Sequence, residues 1–195
     1  LTHLLSLDSY PTADPGPARS LAKNAPDPHI RALYERFLPD SVRAQTLGPA
    51  ATAAQILSEK GDPARGAALF SPTGKAAACT ACHFLNGAGR DFGPDLTKVG
   101  ARLTPEQLIE SLLTPSKTLA EGYQPHVLTL KDGSVRTGFI IERAADRLTL
   151  KTAPGQTQPL PLTDIESDRP LPVSLMPEGL LQTLTPQEAA DLVTY

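Results

Sequence analysis

Cys79, Thr80, Ala81, Cys82 and His83 stand together as C-x-x-C-H. Two thiols one helical turn apart can add to the two vinyl groups on one edge of a haem. The adjoining His83 can then offer its imidazole to the iron as the proximal ligand. Other thiol chemistry fits this spacing less well. A disulfide across two intervening residues closes a small strained ring and staples almost nothing. A thioredoxin-like pair calls for a strand-to-helix setting within a βαβ pattern, which the flanking sequence lacks. A structural zinc site needs three or four ligands, and the chain has 2 cysteines in all.

A second axial donor is sought further along. Met176 is the sole methionine and stands before Pro177, in an expected loop ahead of the last helix. A lone methionine is commonly core filler. Its thioether is also a soft donor that favours reduced iron. His126 and His29 are the alternatives for the same duty.

The elements that must position these groups are short. Residues 1–26 read as a tether, rich in breakers such as Pro11, Pro15, Gly16 and Pro17. Asp27 and Pro28 then open a helix with Ile30, Leu33, Tyr34 and Phe37 on one face. A second short helix is expected over residues 52–59, with Ile56 and Leu57 inward. Asp62-Pro63 caps a third, in which Gly66 and Phe70 share a face. A glycine in mid-helix costs about 1 kcal/mol relative to alanine. A closely crossing partner explains it, and the last helix, residues 185–195, is the candidate. That helix starts with the capping box Thr185-Pro186-Gln187-Glu188, and its Leu192 and Tyr195 could cover Gly66 and Phe70.

Past the cysteines, Gly87 and Gly89 would let the backbone pass close to a haem edge. Thr104-Pro105-Glu106-Gln107 opens another capped helix that Pro115 ends. From residue 122 to about residue 169 the apolar period changes from helical to two. Val127 and Thr129 alternate with Leu128 and Leu130, and Asp132-Gly133 marks a hairpin turn. Val135, Thr137, Phe139 and Ile141 are expected on one face, followed by Leu148, Leu150, Leu160 and Leu162. Four or five antiparallel strands, as a small barrel or curled sheet, are inserted between His83 and Met176. The expected fold is therefore mainly α: a helical haem-bearing domain over 61–195 with a β insertion at about 122–169, after a linker and helical extension over 1–60.

Several separate motifs occur in order: Gly61 to Gly66, Cys79 to His83, Gly93-Pro94-Asp95-Leu96, Pro115-Ser116-Lys117, Gly122-Tyr123, Asp132-Gly133, Asp164 to Ser167, and Ser174 to Leu180. Together they resemble the c-type cytochrome domain described as a haem-binding domain of Pirellula/Verrucomicrobium type, over roughly residues 50–195. The resemblance implies one covalent haem c, with Cys79 and Cys82 attaching it and His83 and Met176 as iron ligands. It implies that the Pro94 carbonyl takes the proximal histidine's other N–H, and that the first and last helices of the domain pair. It also implies a place at the C-terminus of a large exported protein, beside a dehydrogenase-like domain that donates electrons.

Net charge is −3, which argues against a broad nucleic-acid footprint. No run of about 18 apolar residues is present to span a membrane. The opening Leu-Thr-His-Leu-Leu, without an initiator methionine, reads as a mature or excised piece of a longer protein. Electron transfer between a dehydrogenase and a respiratory carrier, in the periplasm or otherwise outside the cytoplasm, is the expected function, without enzymatic activity of its own. A haem-based sensor with a displaceable sixth ligand is the alternative. A peroxidase-like site would need a distal acid–base residue, and no histidine or arginine lies close to Met176 in sequence.

Overall fold

The computed structural model describes residues 16–24, 30, 33–39 and 45–195. The chain divides into two compact units, Leu1–Gln45 and Thr46–Tyr195.

In the first unit, helix α1 spans Gly16–Asn24, where a tether was expected. Its proline, Pro17, falls in the first turn, where a missing N–H costs no helical bond. The residues after it are mostly good helix formers. A 3-10 turn covers Glu35–Phe37, and the Phe37 carbonyl accepts a hydrogen bond from Arg19 Nε at 3.0 Å. Leu33 is exposed, so the apolar face expected around it is not a buried one. Asp27, Pro28 and His29, the expected cap and a ligand alternative, lie outside the described residues.

The second unit has a helical part and a sheet. Helix α2, Ala53–Leu57, carries the capping box of Thr52 and Gln55. It buries Ile56 but leaves Leu57 exposed, against expectation. Helix α3, Pro63–Phe70, starts on Asp62, whose carboxylate accepts from the Ala64 and Arg65 N–H groups. Helix α4 is the single turn Ala77–Thr80. Helix α5, Pro105–Leu113, and helix α6, Pro186–Thr194, both begin with a full capping box and a proline in the first turn. Leu47, Ile56, Ile109, Leu181, Leu184, Ala189 and Ala190 form the core between α2, α5 and α6.

Helices α3 and α6 cross at Gly66. A Cβ there would lie 2.1 Å from the Asp191 carbonyl oxygen and 2.7 Å from Tyr195 Cβ. The Phe70 and Tyr195 rings are 6.0 Å apart. Leu192 turns instead toward the core of α2 and α5. The crossing is fastened by Asp191, whose carboxylate accepts from Arg65 at 2.6 and 2.7 Å, from Gln187 at 2.8 Å and from the Asp62 N–H at 2.8 Å. The Arg65 guanidinium lowers the Asp191 carboxyl to about 2, against the opposing effect of burial.

Five antiparallel strands follow: β3 Pro125–Leu130, β4 Val135–Arg143, β5 Arg147–Thr152, β6 Gln156–Pro161 and β7 Ile165–Pro170. Their order is β6-β5-β4-β3-β7, so the last strand returns beside the first. Leu128, Leu130, Leu148, Leu150 and Leu160 make the buried face. The face expected of Val135, Thr137, Phe139 and Ile141 is broken. Phe139 is buried, whereas Val135 and Ile141 are exposed. The register shifts between Ile140 and Glu142, a bulge that re-aims the end of β4.

This sheet overturns the expectation of a mainly α chain. The described helices are short, none longer than nine residues, while the strands run six to nine. The abundant caps and first-turn prolines mark many helix starts, but they say nothing of how far each helix runs. A shorter hairpin joins strands β1, Phe84–Leu85, and β2, Ala88–Gly89.

Candidate functional site

The turn of α4 runs on through the cysteines. The Cys82 and His83 N–H groups both donate to the Cys79 carbonyl, at 3.2 and 2.9 Å. Cys79, Cys82 and His83 are thereby held within one continuous turn. Both thiols are unpaired and half-buried. Burial pushes the Cys79 thiol up, and the neighbouring Cys82 adds to the rise.

The His83 ring is set by the loop that follows. Its Nδ1 lies 2.7 Å from the Pro94 carbonyl oxygen. A carbonyl can only accept, so Nδ1 carries the proton and Nε2 keeps its lone pair for a metal. Gly93 lies flat against the ring: a Cβ there would stand 2.7 Å from Cε1 and 3.0 Å from Nδ1. The Phe92 and Gly93 N–H groups donate to the Cys82 carbonyl at 3.0 and 2.6 Å. The Arg90 N–H donates to the His83 carbonyl at 3.2 Å. Gly89 must be glycine, because a Cβ would fall 2.0 Å from that same carbonyl oxygen. Gly87 has another task. With Asn86 at φ 48° and Gly87 at φ 89°, the pair makes the two-residue turn of the β1–β2 hairpin. Nothing lies within 4 Å of a Cβ built at Gly87.

Beside Pro94 opens a cavity of about 560 Å³, lined by Pro94, Asp95, Thr97, Lys98, Arg102 and Tyr123. Hydrogen bonds from the Thr97 hydroxyl and N–H hold the Asp95 carboxyl below its ordinary value. The Arg102 guanidinium donates to the Asp95 carbonyl at 3.1 Å.

Met176 is half-buried on an irregular segment ahead of α6. Its N–H donates to Ser174 Oγ at 3.0 Å, and the Ser174 N–H donates to Ser116 Oγ at 3.1 Å. Among the described residues no hydrogen bond joins this segment to the His83 loop. His126, the other described candidate, is engaged in the sheet. Its Nδ1 lies 2.5 Å from Asp168 Oδ1, and Arg143 holds the second carboxylate oxygen at 2.6 Å. Burial alone would raise the Asp168 carboxyl, but the Arg143 and His126 hydrogen bonds outweigh it and leave it lowered.

Among the described residues no group of three or more His, Cys, Asp or Glu side chains gathers as a metal site. The candidate donors are one oriented imidazole, two free thiols on the preceding turn and, on a separate segment, one thioether. That set fits a porphyrin fixed by two thioethers, because the porphyrin itself brings the remaining four ligands. Of the residues named from the sequence, the structure brings Cys79, Cys82 and His83 onto one turn and sets Pro94 against His83. No sequence signal announced the Lys151–Asp91 ion pair or the Phe92–Phe139 ring contact, which join residues far apart in the chain. Comparison with known proteins adds nothing here: no family model and no curated protein matches the chain.

Proposed function

We propose that residues 46–195 form an electron-transfer domain carrying one covalent haem c. The observation that carries this reading is the His83 Nδ1–Pro94 contact at 2.7 Å, one residue after two unpaired thiols. Cys79 and Cys82 would anchor the haem through thioethers. His83 would hold the iron through Nε2, with Pro94 and Gly93 keeping the ring oriented, and Met176 would supply the sixth ligand. When bound, the haem supplies a one-electron ferric–ferrous couple. A ligand on each side would leave no open position on the iron, which suits electron exchange and not the binding of small molecules. The domain itself performs no catalysis in this reading; it takes electrons from a dehydrogenase and passes them to a respiratory carrier, outside the cytoplasm. No helix among the described residues is long and apolar enough to cross a membrane.

The test is the visible spectrum of protein produced in a host able to mature c-type haem. The wild type is expected coloured, with the porphyrin retained in acid acetone. Met176→Ala is expected to keep the haem, lose the methionine–iron charge-transfer band and lower the potential. A colourless product sinks the proposal, and an unchanged Met176→Ala spectrum removes Met176 from the site. A second reading, a sensor with a displaceable sixth ligand, draws on the light tethering of the Met176 segment. Fast stoichiometric carbon monoxide binding to the reduced wild type would favour it.

A further inference from the structure

The loop that carries Pro94 is held from two directions. Toward the sheet, the Lys151 ammonium on β5 lies 2.6 Å from Asp91 Oδ1. The lysine side chain is 11% exposed and the aspartate 77%. A buried lysine stem thus reaches out to an exposed carboxylate, and lysine is rarely so buried without a partner. Phe139 is the cross-strand partner of Lys151. Its ring lies 5.0 Å from Phe92 and 5.2 Å from Tyr123. Gly155, in the turn between β5 and β6, approaches the Asp91 carbonyl so closely that a Cβ would be 2.9 Å away. Toward the cysteines, the same loop gives two N–H groups to the Cys82 carbonyl and the Pro94 carbonyl to His83. Asp91 to Pro94 are four consecutive residues, so little slack separates the two sets of contacts.

We infer that the inserted sheet is a positioning element for the His83 imidazole: Lys151 and Phe139 grip Asp91 and Phe92, and thereby keep the Pro94 carbonyl on Nδ1–H. The inference rests on the haem reading above and extends it. A carbonyl accepting from Nδ1–H makes Nε2 a stronger donor, which favours ferric iron. Loosening the grip therefore raises the midpoint potential. An ion pair with so exposed a carboxylate adds little to stability. A purely structural role would show in unfolding and leave the potential alone.

The experiment uses the full haem-attached chain as wild type, Lys151→Met, Lys151→Arg and Asp91→Asn. Midpoint potential and NMR exchange of the His83 Nδ1 proton are measured on each. Lys151→Met is expected to shift the ferric–ferrous equilibrium toward ferrous by about three- to tenfold, tenfold being about 59 mV for one electron. Its Nδ1 proton should exchange faster, Lys151→Arg should restore both values, and Asp91→Asn should move them the same way but less. Unchanged potential and exchange in Lys151→Met and Asp91→Asn overturn the inference. Should Lys151→Met fail to fold, Asp91→Asn on the exposed partner decides it. A wild type without attached haem instead overturns the function proposed above, and proton exchange in the haem-free chain then still tests the grip on His83.

Discussion

The His83 loop and the Met176 segment, which carry the two iron ligands of the proposed haem site, are built differently. Around His83, three backbone N–H groups from residues 90 to 93 bond the carbonyls of Cys82 and His83, and Pro94 orients the imidazole. Around Met176 the nearest hydrogen bonds run through two serine hydroxyls, and backbone bonds resume only at Leu171 and at Gln182. The difference is between an imidazole preset by backbone and a thioether on a segment held mainly through serine hydroxyls. In the proposed haem site, presetting one side would fix where the iron sits, and the less tightly held side would let the thioether meet it without strain. Substitutions at the His83 loop should therefore cost more than substitutions at the Met176 segment.

The largest effect should come from Gly93→Ala. The added methyl would press on three atoms of a ring already hydrogen-bonded to Pro94. Either the ring tilts or the loop lifts, at a cost of about 1–3 kcal/mol, the scale of overpacking. Chemical denaturation should show the loss, and the spectrum of the matured protein should show a disturbed proximal ligand. A Gly93→Ala protein with wild-type stability and spectrum would erase the contrast between the two sides.

The parts legible in the sequence were those with local causes. The capping boxes at Thr104 and Thr185 mark helix starts that the structure keeps. Gly66 announced a helix crossing because nothing local explains a glycine there. The rest depended on contacts distant in sequence. Lys151 and Asp91 are 60 residues apart, and neither looks unusual in its own segment. The balance of helix and sheet was misjudged because caps count helix starts and say nothing of length. The face expected on β4 failed at both ends: Val135 is exposed ahead of the bulge, and Ile141 is exposed within it. Helix α1 was lost behind its prolines, which sit ahead of it or in its first turn and do no harm there.

A middling effect is expected where the two sides share support. Helix α3 leads into the His83 region, α6 follows the Met176 segment, and Asp191 fastens one to the other. Asp191→Asn keeps the shape and removes the charge. Because Arg65 is half exposed, the cost should lie near the lower end for bonds to a charged group, about 1–2 kcal/mol. The carboxyl is lowered in the folded protein from the ordinary 3.8 to about 2. Its contribution is then complete above the ordinary value and fades as pH falls toward about 2. Wild-type stability should drop across that acid window, and the drop should be shallower in Asp191→Asn. Equal acid slopes in the two proteins, measured by urea unfolding, would show that the clamp does not depend on charge.

The smallest effect should come from Ser174→Ala. It removes the acceptor of the Met176 N–H while leaving the Ser174 backbone N–H on Ser116. The segment is irregular and half-buried, so water can replace the lost hydroxyl. The stability cost should be about 0.5–1 kcal/mol, the net worth of one ordinary hydrogen bond. The consequence for ligation should be easier to see than the consequence for folding. With its turn loosened, the Met176 thioether should leave more readily, and added imidazole should displace it at lower concentration than in the wild type. If Ser174→Ala instead destabilised the protein as much as Gly93→Ala, the Met176 segment would be as rigidly preset as the His83 loop.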